Sequence, residues 1–314
     1  MAKNVKKAAA PGGPAPTPFV GYPLAAQLGG VALLVLPGVL HVVDLAPPQL
    51  CGVLFTGAFL VVCLGFALWP PFEDASVATG RKVLLTVVAL LAAGTTAVPL
   101  VRALNPGTPA FTTSLPRSGE AKAVNVAPGP YSLFVHGDFS GSAAREVRAA
   151  YVVRIAAGDV GRDVEGIFES GRSRGRVGRT SVTSVKPPRE WNRHLVPVPQ
   201  DGKLSAFKMD AVLGEAMEVQ LHAELPMWPF LAAGVLLALV AAAVGATLPD
   251  KRSRHGYTAA VIAILVGGTL GGAWAWMGEP FLPLVGAFFA GLLGGYLMAR
   301  LLTPAMRALP FARD

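Results

Sequence analysis

Residues 82–104 read KVLLTVVALLAAGTTAVPLVRAL. Between Lys82 and Arg102 no side chain carries a formal charge. A helix rises about 1.5 Å per residue, so this run covers about 30 Å, the thickness of a bilayer's hydrocarbon core. Thr95 and Thr96 need no outside partner, because a threonine hydroxyl in a helix can bond the backbone one turn back. Pro99 kinks such a helix without forbidding it, provided neighbouring helices satisfy the freed carbonyl. The stretch reads as a membrane-spanning helix.

Five more runs have the same character, at about 21–43, 50–69, 227–248, 257–277 and 281–302, and none has Asp or Glu in its interior. The expected fold class is therefore a multi-pass α-helical membrane protein of six transmembrane helices. The middle of the chain differs. Residues 105–226 hold 15 Lys/Arg and 13 Asp/Glu, more than half of all the charge in 314 residues. Uneven polarity of this kind separates a soluble domain from membrane segments. The expected organisation is a tail at 1–19, helices 1–3 within 20–104, a β-rich domain at 105–226, helices 4–6 within 227–303 and a tail at 304–314. The apolar run after the first tail is too long for a signal-peptide core and no small-x-small cleavage site follows it, so a retained first helix is expected.

The net charge of +8 invites a nucleic-acid reading, but the middle domain is nearly balanced and much of the excess flanks apolar runs. No nucleic-acid partner is expected. The flanking cations instead orient the chain. With the N-terminus inside, the inner segments carry Lys3, Lys6, Lys7, Arg81, Lys82, Lys251, Arg252, Arg254, Arg300, Arg307 and Arg313, while the short outer loops 44–49 and 278–280 carry none. Both termini are then cytoplasmic and residues 105–226 extracytoplasmic. Richness in Ala, Gly, Val and Arg suggests a bacterial genome of high GC content, hence the bacterial inner (plasma) membrane.

From about Glu120 the pattern turns to short alternating runs, each reading as a strand: Tyr131–His136, Ala150–Ile155, Val164–Glu169, Thr180–Lys186, His194–Val198, Leu204–Met209 and Met217–Ala223. Turn signals such as Gly137-Asp138, Gly158-Asp159 and Asp201-Gly202 separate them. Seven short strands suggest an inserted antiparallel β-sandwich, Ig-like or jelly-roll.

Three sets of residues stand out. The first is SGRSRGRVGR at Ser170–Arg179, whose Arg172, Arg174, Arg176 and Arg179 make a candidate contact for an anionic lipid, a glycan or an acidic partner, or else a solvated hairpin loop. Trp191, read as a loop residue, joins them as a partner anchor or as packing over a sandwich end. The second is small-residue spacing: Gly267/Gly271 and Gly268/Gly272 in helix 5, and Gly291 and Gly295 in helix 6. Such spacing lets helices pack closely, within one chain or between copies. The third is His41 with Asp44, a polar pair at the outer end of helix 1. It is either a proton- or metal-responsive pair or a histidine bonded to a carboxylate or water at the bilayer edge.

Nothing points to catalysis. His136, His194 and His222 fall on three different strands and read as surface or edge residues, and there is no HExxH or cysteine-based signature. No cofactor or metal set is assigned. Cys51 and Cys63 share one helix and lie about 18 Å apart along it, too far for a disulfide. The order spans, β domain, spans is similar to that of several bacterial envelope proteins, including cofactor-maturation and transport accessories, in layout alone. The expectation is a non-enzymatic membrane subunit. Its partners would be the lipid bilayer and other membrane or periplasmic protein subunits, with anionic lipid or glycan binding, or a small-solute channel, as alternatives.

Overall fold

The computed structural model describes residues 24–43, 45–139, 147–177, 180–186, 190–275 and 281–308, with the backbone alone for 171–177 and 180–186. Six helices are long and apolar enough to cross a membrane: α1 (Leu24–Val42), α2 (Pro48–Glu73), α3 (Thr79–Leu104), α4 (Trp228–Ala246), α5 (Lys251–Trp274) and α6 (Phe281–Arg307). The chain is a multi-pass helical membrane protein with a sheet domain between α3 and α4. Helix α5 starts six residues before the apolar run 257–277, because Asp250 caps it: its carboxylate accepts from the Ser253 amide at 2.8 Å. A side-chain acceptor at that position satisfies one of the free amides of the first turn.

Helix α5 is the centre of the bundle and packs against α2, α3, α4 and α6. Its glycines make this possible. A methyl at Gly267 would lie 2.7 Å from the Phe288 ring, at Gly271 2.8 Å from Leu100, and at Gly272 2.6 Å from Pro99; at Gly268 it would collide with Thr96. From the other side, a methyl at Gly291 would lie 2.7 Å from both the Ala263 carbonyl and the Gly267 Cα, and one at Gly295 would strike the Ala259 carbonyl. All six glycines therefore sit at helix contacts within this chain. Polar groups in the bundle mostly bond locally. The Thr95 and Thr269 hydroxyls donate to Leu91 and Leu265 carbonyls at 2.8 and 2.7 Å, and Tyr257 of α5 donates to the Leu85 carbonyl of α3 at 2.9 Å. Helix α1 packs along α2 and buries only Pro37.

Among the described residues the domain has ten strands: β1 (Phe111–Pro116), β2 (Lys122–Ala123), β3 (Gly129–His136), β4 (Arg148–Ala157), β5 (Val160–Glu169), β6 (Gly171–Val177), β7 (Thr180–Lys186), β8 (Trp191–Val198), β9 (Lys203–Met209) and β10 (Ala216–Ala223). Two four-stranded antiparallel sheets run β1-β10-β3-β8 and β2-β9-β4-β5, and β6 and β7 form a separate ribbon. Alternation aims one face of each sheet at a common apolar core. Leu133, Val135, Val219 and Leu221 come from the first sheet, and Tyr151, Val153, Phe168 and Leu204 from the second. Each such side chain contributes about 1.5–3 kcal/mol on burial. Gly166 makes room for Tyr151, which lies directly opposite it on β4.

Every expected strand is present, and β1, β2 and β6 are additional. Strand β1 ends in Pro116 and lies at a sheet edge, where proline is tolerated. Strand β6 has no apolar alternation because it belongs to a ribbon outside both sheets. The linker before the domain is also shorter than its proline-rich sequence implies: residues 105–110 alone separate α3 from β1.

Candidate functional site

Part of the outer face of the first sheet is covered. On β3 the core-facing Tyr131, Leu133 and Val135 alternate with Ser132, Phe134 and His136. Register places Ser132 beside His222, Phe134 between Gln220 and Arg193, and His136 between Glu218 and Trp191. Phe134 and Ser132 are only 2 % exposed and His222 4 %, although none belongs to the core between the sheets. Helix ends cover them. Pro99, Arg102 and Ala103 of α3, Gly272 of α5, Pro106 just after α3 and Met227 just before α4 complete a cavity of about 40 Å³ over Ser132, Phe134, Arg193, His222 and Glu224. That is room for about one water molecule and not for a substrate.

The polar groups here are matched to one another. Arg193 donates from Nη2 to Glu224 Oε1 at 2.6 Å and from Nε to Ser132 Oγ at 2.7 Å, and the Ser132 hydroxyl contacts the same carboxylate. The pair is largely shielded, so its charge-assisted bonds contribute about 1.5–3 kcal/mol each rather than the smaller amount of an exposed pair. Glu224 follows β10 and leads into α4, so this triad ties the first sheet to the start of the second helical set. Arg102 donates to the Pro106 carbonyl at 2.8 Å and fixes the exit of α3 in the same way.

His222 lies beneath Arg102. Gln220 gives its amide N–H to Glu218 at 2.8 Å and turns its oxygen to His222 Nε2 at 3.2 Å. Nε2 is then the protonated nitrogen, and Nδ1 is buried without a hydrogen-bond partner. Burial holds His222 below the ordinary imidazole range. Arg102 adds to the lowering, and the Pro106 carbonyl and Glu224 oppose it. His194 faces the core side, where its Nε2 meets the Tyr151 hydroxyl at 2.8 Å. Burial lowers His194 and raises the Tyr151 phenol. The expectation of surface or edge histidines is thus corrected for His222, which is buried on the inner strand β10; His194 lies half-buried on the edge strand β8. A buried histidine on an alternating strand is indistinguishable from an exposed one until the covering element is known.

The other singled-out residues fall elsewhere. Trp191 is the first residue of β8 rather than a loop residue, with its ring 4.5 Å from that of His136 and edge-on to Phe134 at 6.5 Å. Arg172, Arg174 and Arg176 occupy alternate positions of β6, opposite Val185, Thr183 and Ser181, so a strand replaces the expected loop; Arg179 lies outside the described residues. The five residues Gly171–Gly175 also spell G-x-S-x-G. That pattern forms a nucleophile elbow only on a sharp turn from strand into helix, and here it lies along a strand paired residue by residue with β7. His41 packs its ring 4.7 Å from Phe281 of α6; Asp44 lies outside the described residues. Among the described residues no three His, Cys, Asp or Glu side chains converge as metal ligands would. Sequence reasoning does not bring Arg102, Arg193 and Glu224 together. The available signal was that Glu224 and Arg102 each stand within a few residues of a helix end, where charge is costly unless paired.

No family model, curated protein or solved structure matches the chain.

Proposed function

We propose that the chain is a non-enzymatic subunit of a bacterial inner-membrane assembly. Its six helices carry a periplasmic β-sandwich, of Ig-like or jelly-roll kind, whose free sheet contacts a protein partner in an envelope or transport complex. The supporting observation is the difference between the two outer sheet faces. On the first, helix ends cover Ser132, Phe134 and His222, and Leu195 at the edge strand is its exposed large apolar side chain. The second, on the far side of the shared core, exposes Phe207 (60 %) and Ile167 (49 %) beside half-buried Val152. Around them stand Glu165, Lys208 and the Arg154–Asp163 pair, bonded at 2.6 and 2.8 Å, with the Arg154 guanidinium 3.9 Å above the Phe207 ring. An apolar centre containing an aromatic, bordered by charge, has the composition of a protein interface. The cations at the helix ends remote from the domain support the periplasmic orientation. Photo-crosslinkers placed at Phe207 and Ile167 in cells should capture a discrete partner. Absence of any adduct, together with solitary migration in mild detergent, ends the proposal.

A second reading is favoured by the ribbon. The arginines of β6 recur at a spacing that repeats on one side of a strand, on a hairpin that pairs with neither sheet. They would hold an anionic lipid or glycan. Replacing Arg172, Arg174, Arg176 and Arg179 by Ser should weaken binding to anionic vesicles and flatten its salt dependence, and unchanged binding removes the idea. A small-solute channel has less support. The two large voids beside the helices, about 510 and 580 Å³, are lined almost wholly by apolar side chains of α1, α2 and α6.

A further inference from the structure

At the end of the bundle remote from the β domain, α5 and α6 enclose a basic pocket of about 490 Å³, lined by Lys251, Arg252, His255 and Ala259 of α5 and Tyr296, Ala299 and Arg300 of α6. Among the described residues three cations and a histidine line it, and no carboxylate does. The nearest acid in sequence, Asp250, is engaged as the α5 cap, accepting from the Ser253 amide at 2.8 Å and hydroxyl at 3.1 Å. His255 bonds the Lys251 carbonyl through Nδ1 at 2.9 Å, which leaves Nε2 free to face the pocket. The Arg300 guanidinium rests 4.9 Å from the centre of the Tyr296 ring, which restrains it at the pocket wall.

Depth identifies the ligand. From Phe281 to Ala299 helix α6 has no charged residue, a rise of about 28 Å that matches a hydrocarbon core of about 30 Å. Arg300 is the first charge beyond it and so lies at the level of lipid headgroups. Above the pocket, Tyr296, Leu293 and Phe289 succeed one another at helical spacing and are all exposed, a track for acyl chains leading away from the cations. We propose that this pocket is a binding site for an anionic phospholipid. The phosphodiester would sit among Lys251, Arg252, His255 and Arg300, with a chain along Tyr296, Leu293 and Phe289. The site depends on the chain lying in a bilayer, and on neither the partner reading nor the ribbon reading of the β domain.

The test is native mass spectrometry of the full chain in detergent, titrated separately with cardiolipin, phosphatidylglycerol, phosphatidylcholine and inorganic phosphate. Retained adducts with the two anionic lipids, and not with phosphatidylcholine, are expected. The combined Lys251→Gln, Arg252→Gln and Arg300→Gln variant should bind them roughly 100-fold more weakly, since each cation near an anionic surface contributes about fivefold. Arg300→Gln alone, a milder change, should lose about fivefold, and Arg307→Gln, which does not line the pocket, should lose little. Equal retention by the wild type and both pocket variants overturns the site. Displacement of the lipid by millimolar phosphate overturns the lipid assignment and leaves an anion site.

Discussion

Replacing Gly291 by alanine adds one methyl group at the closest approach of α5 and α6. That methyl would sit 2.7 Å from the Ala263 carbonyl oxygen and from the Cα and N of Gly267, where ordinary contact begins at about 3.4 Å. All three obstacles are backbone, so no side chain can swing aside. The helices must separate by about 0.7 Å, and the contacts above and below, Gly267 on Phe288 and Gly295 on Ala259, must loosen together. Overpacking of this kind costs about 1–3 kcal/mol, and the simultaneous loosening of a whole seam places the expectation at the upper end. Gly294→Ala is the internal control. Its methyl would meet only Val266 Cγ1 at 3.6 Å, while it gains the same helix propensity of about 1 kcal/mol over glycine. The assay is reversible unfolding of the purified protein in mixed micelles, with both variants measured beside the wild type. Gly291→Ala should be less stable than Gly294→Ala by at least about 2 kcal/mol. Equal stabilities would refute the argument that these glycines set the spacing of α5 and α6.

Three further outcomes follow from the β domain. Arg193→Ala or Glu224→Ala should each destabilise it by about 2–3 kcal/mol, and the double variant by less than the sum, because either change alone strands the other charge at a shielded junction; a double-mutant cycle measures the coupling. Gly166→Ala should destabilise by about 1–3 kcal/mol, because its methyl enters the space of the Tyr151 ring, and thermal melting of the variant checks it. Acid should destabilise the fold near pH 6. His194 and His222 titrate below 6.5 when folded and near 6.5 when unfolded, so between these values the unfolded chain holds more protons and stability falls as pH falls. The melting temperature should drop on acidification from pH 7 and then level off below the folded values, and His222→Gln should reduce the drop.

Much of this molecule was legible in one dimension because two of its signals are local. A run such as Val83–Val101 is long, uncharged and able to satisfy its own backbone only as a helix, so the solvent it needs is decided without reference to any other part of the chain. The alternation in Tyr131–His136 or Ala150–Ile155 likewise marks a strand with one face to be buried. Small-residue spacing in α5 and α6 showed where helices approach closely. What a local pattern lacks is the identity of the covering element. On β3, Ser132, Phe134 and His136 read as the outward, solvent-facing set, and only the docking of the first sheet against the ends of α3 and α5 buries Ser132 and Phe134. The same holds for Arg193 and Glu224, which come together because β8 and β10 both flank β3 in one sheet. It holds again for the basic pocket, where Arg252 and Arg300 belong to different helices and share a ligand site only because Gly291 and Gly295 let α5 and α6 lie side by side. The sequence alone therefore determined which segments are apolar enough to enter lipid and where most of the strands lie, because hydrocarbon and backbone hydrogen bonding act residue by residue. Only the tertiary structure decided which charges are partners, because Coulombic and hydrogen-bond pairing depends on distances that the packing of helices and the order of strands create.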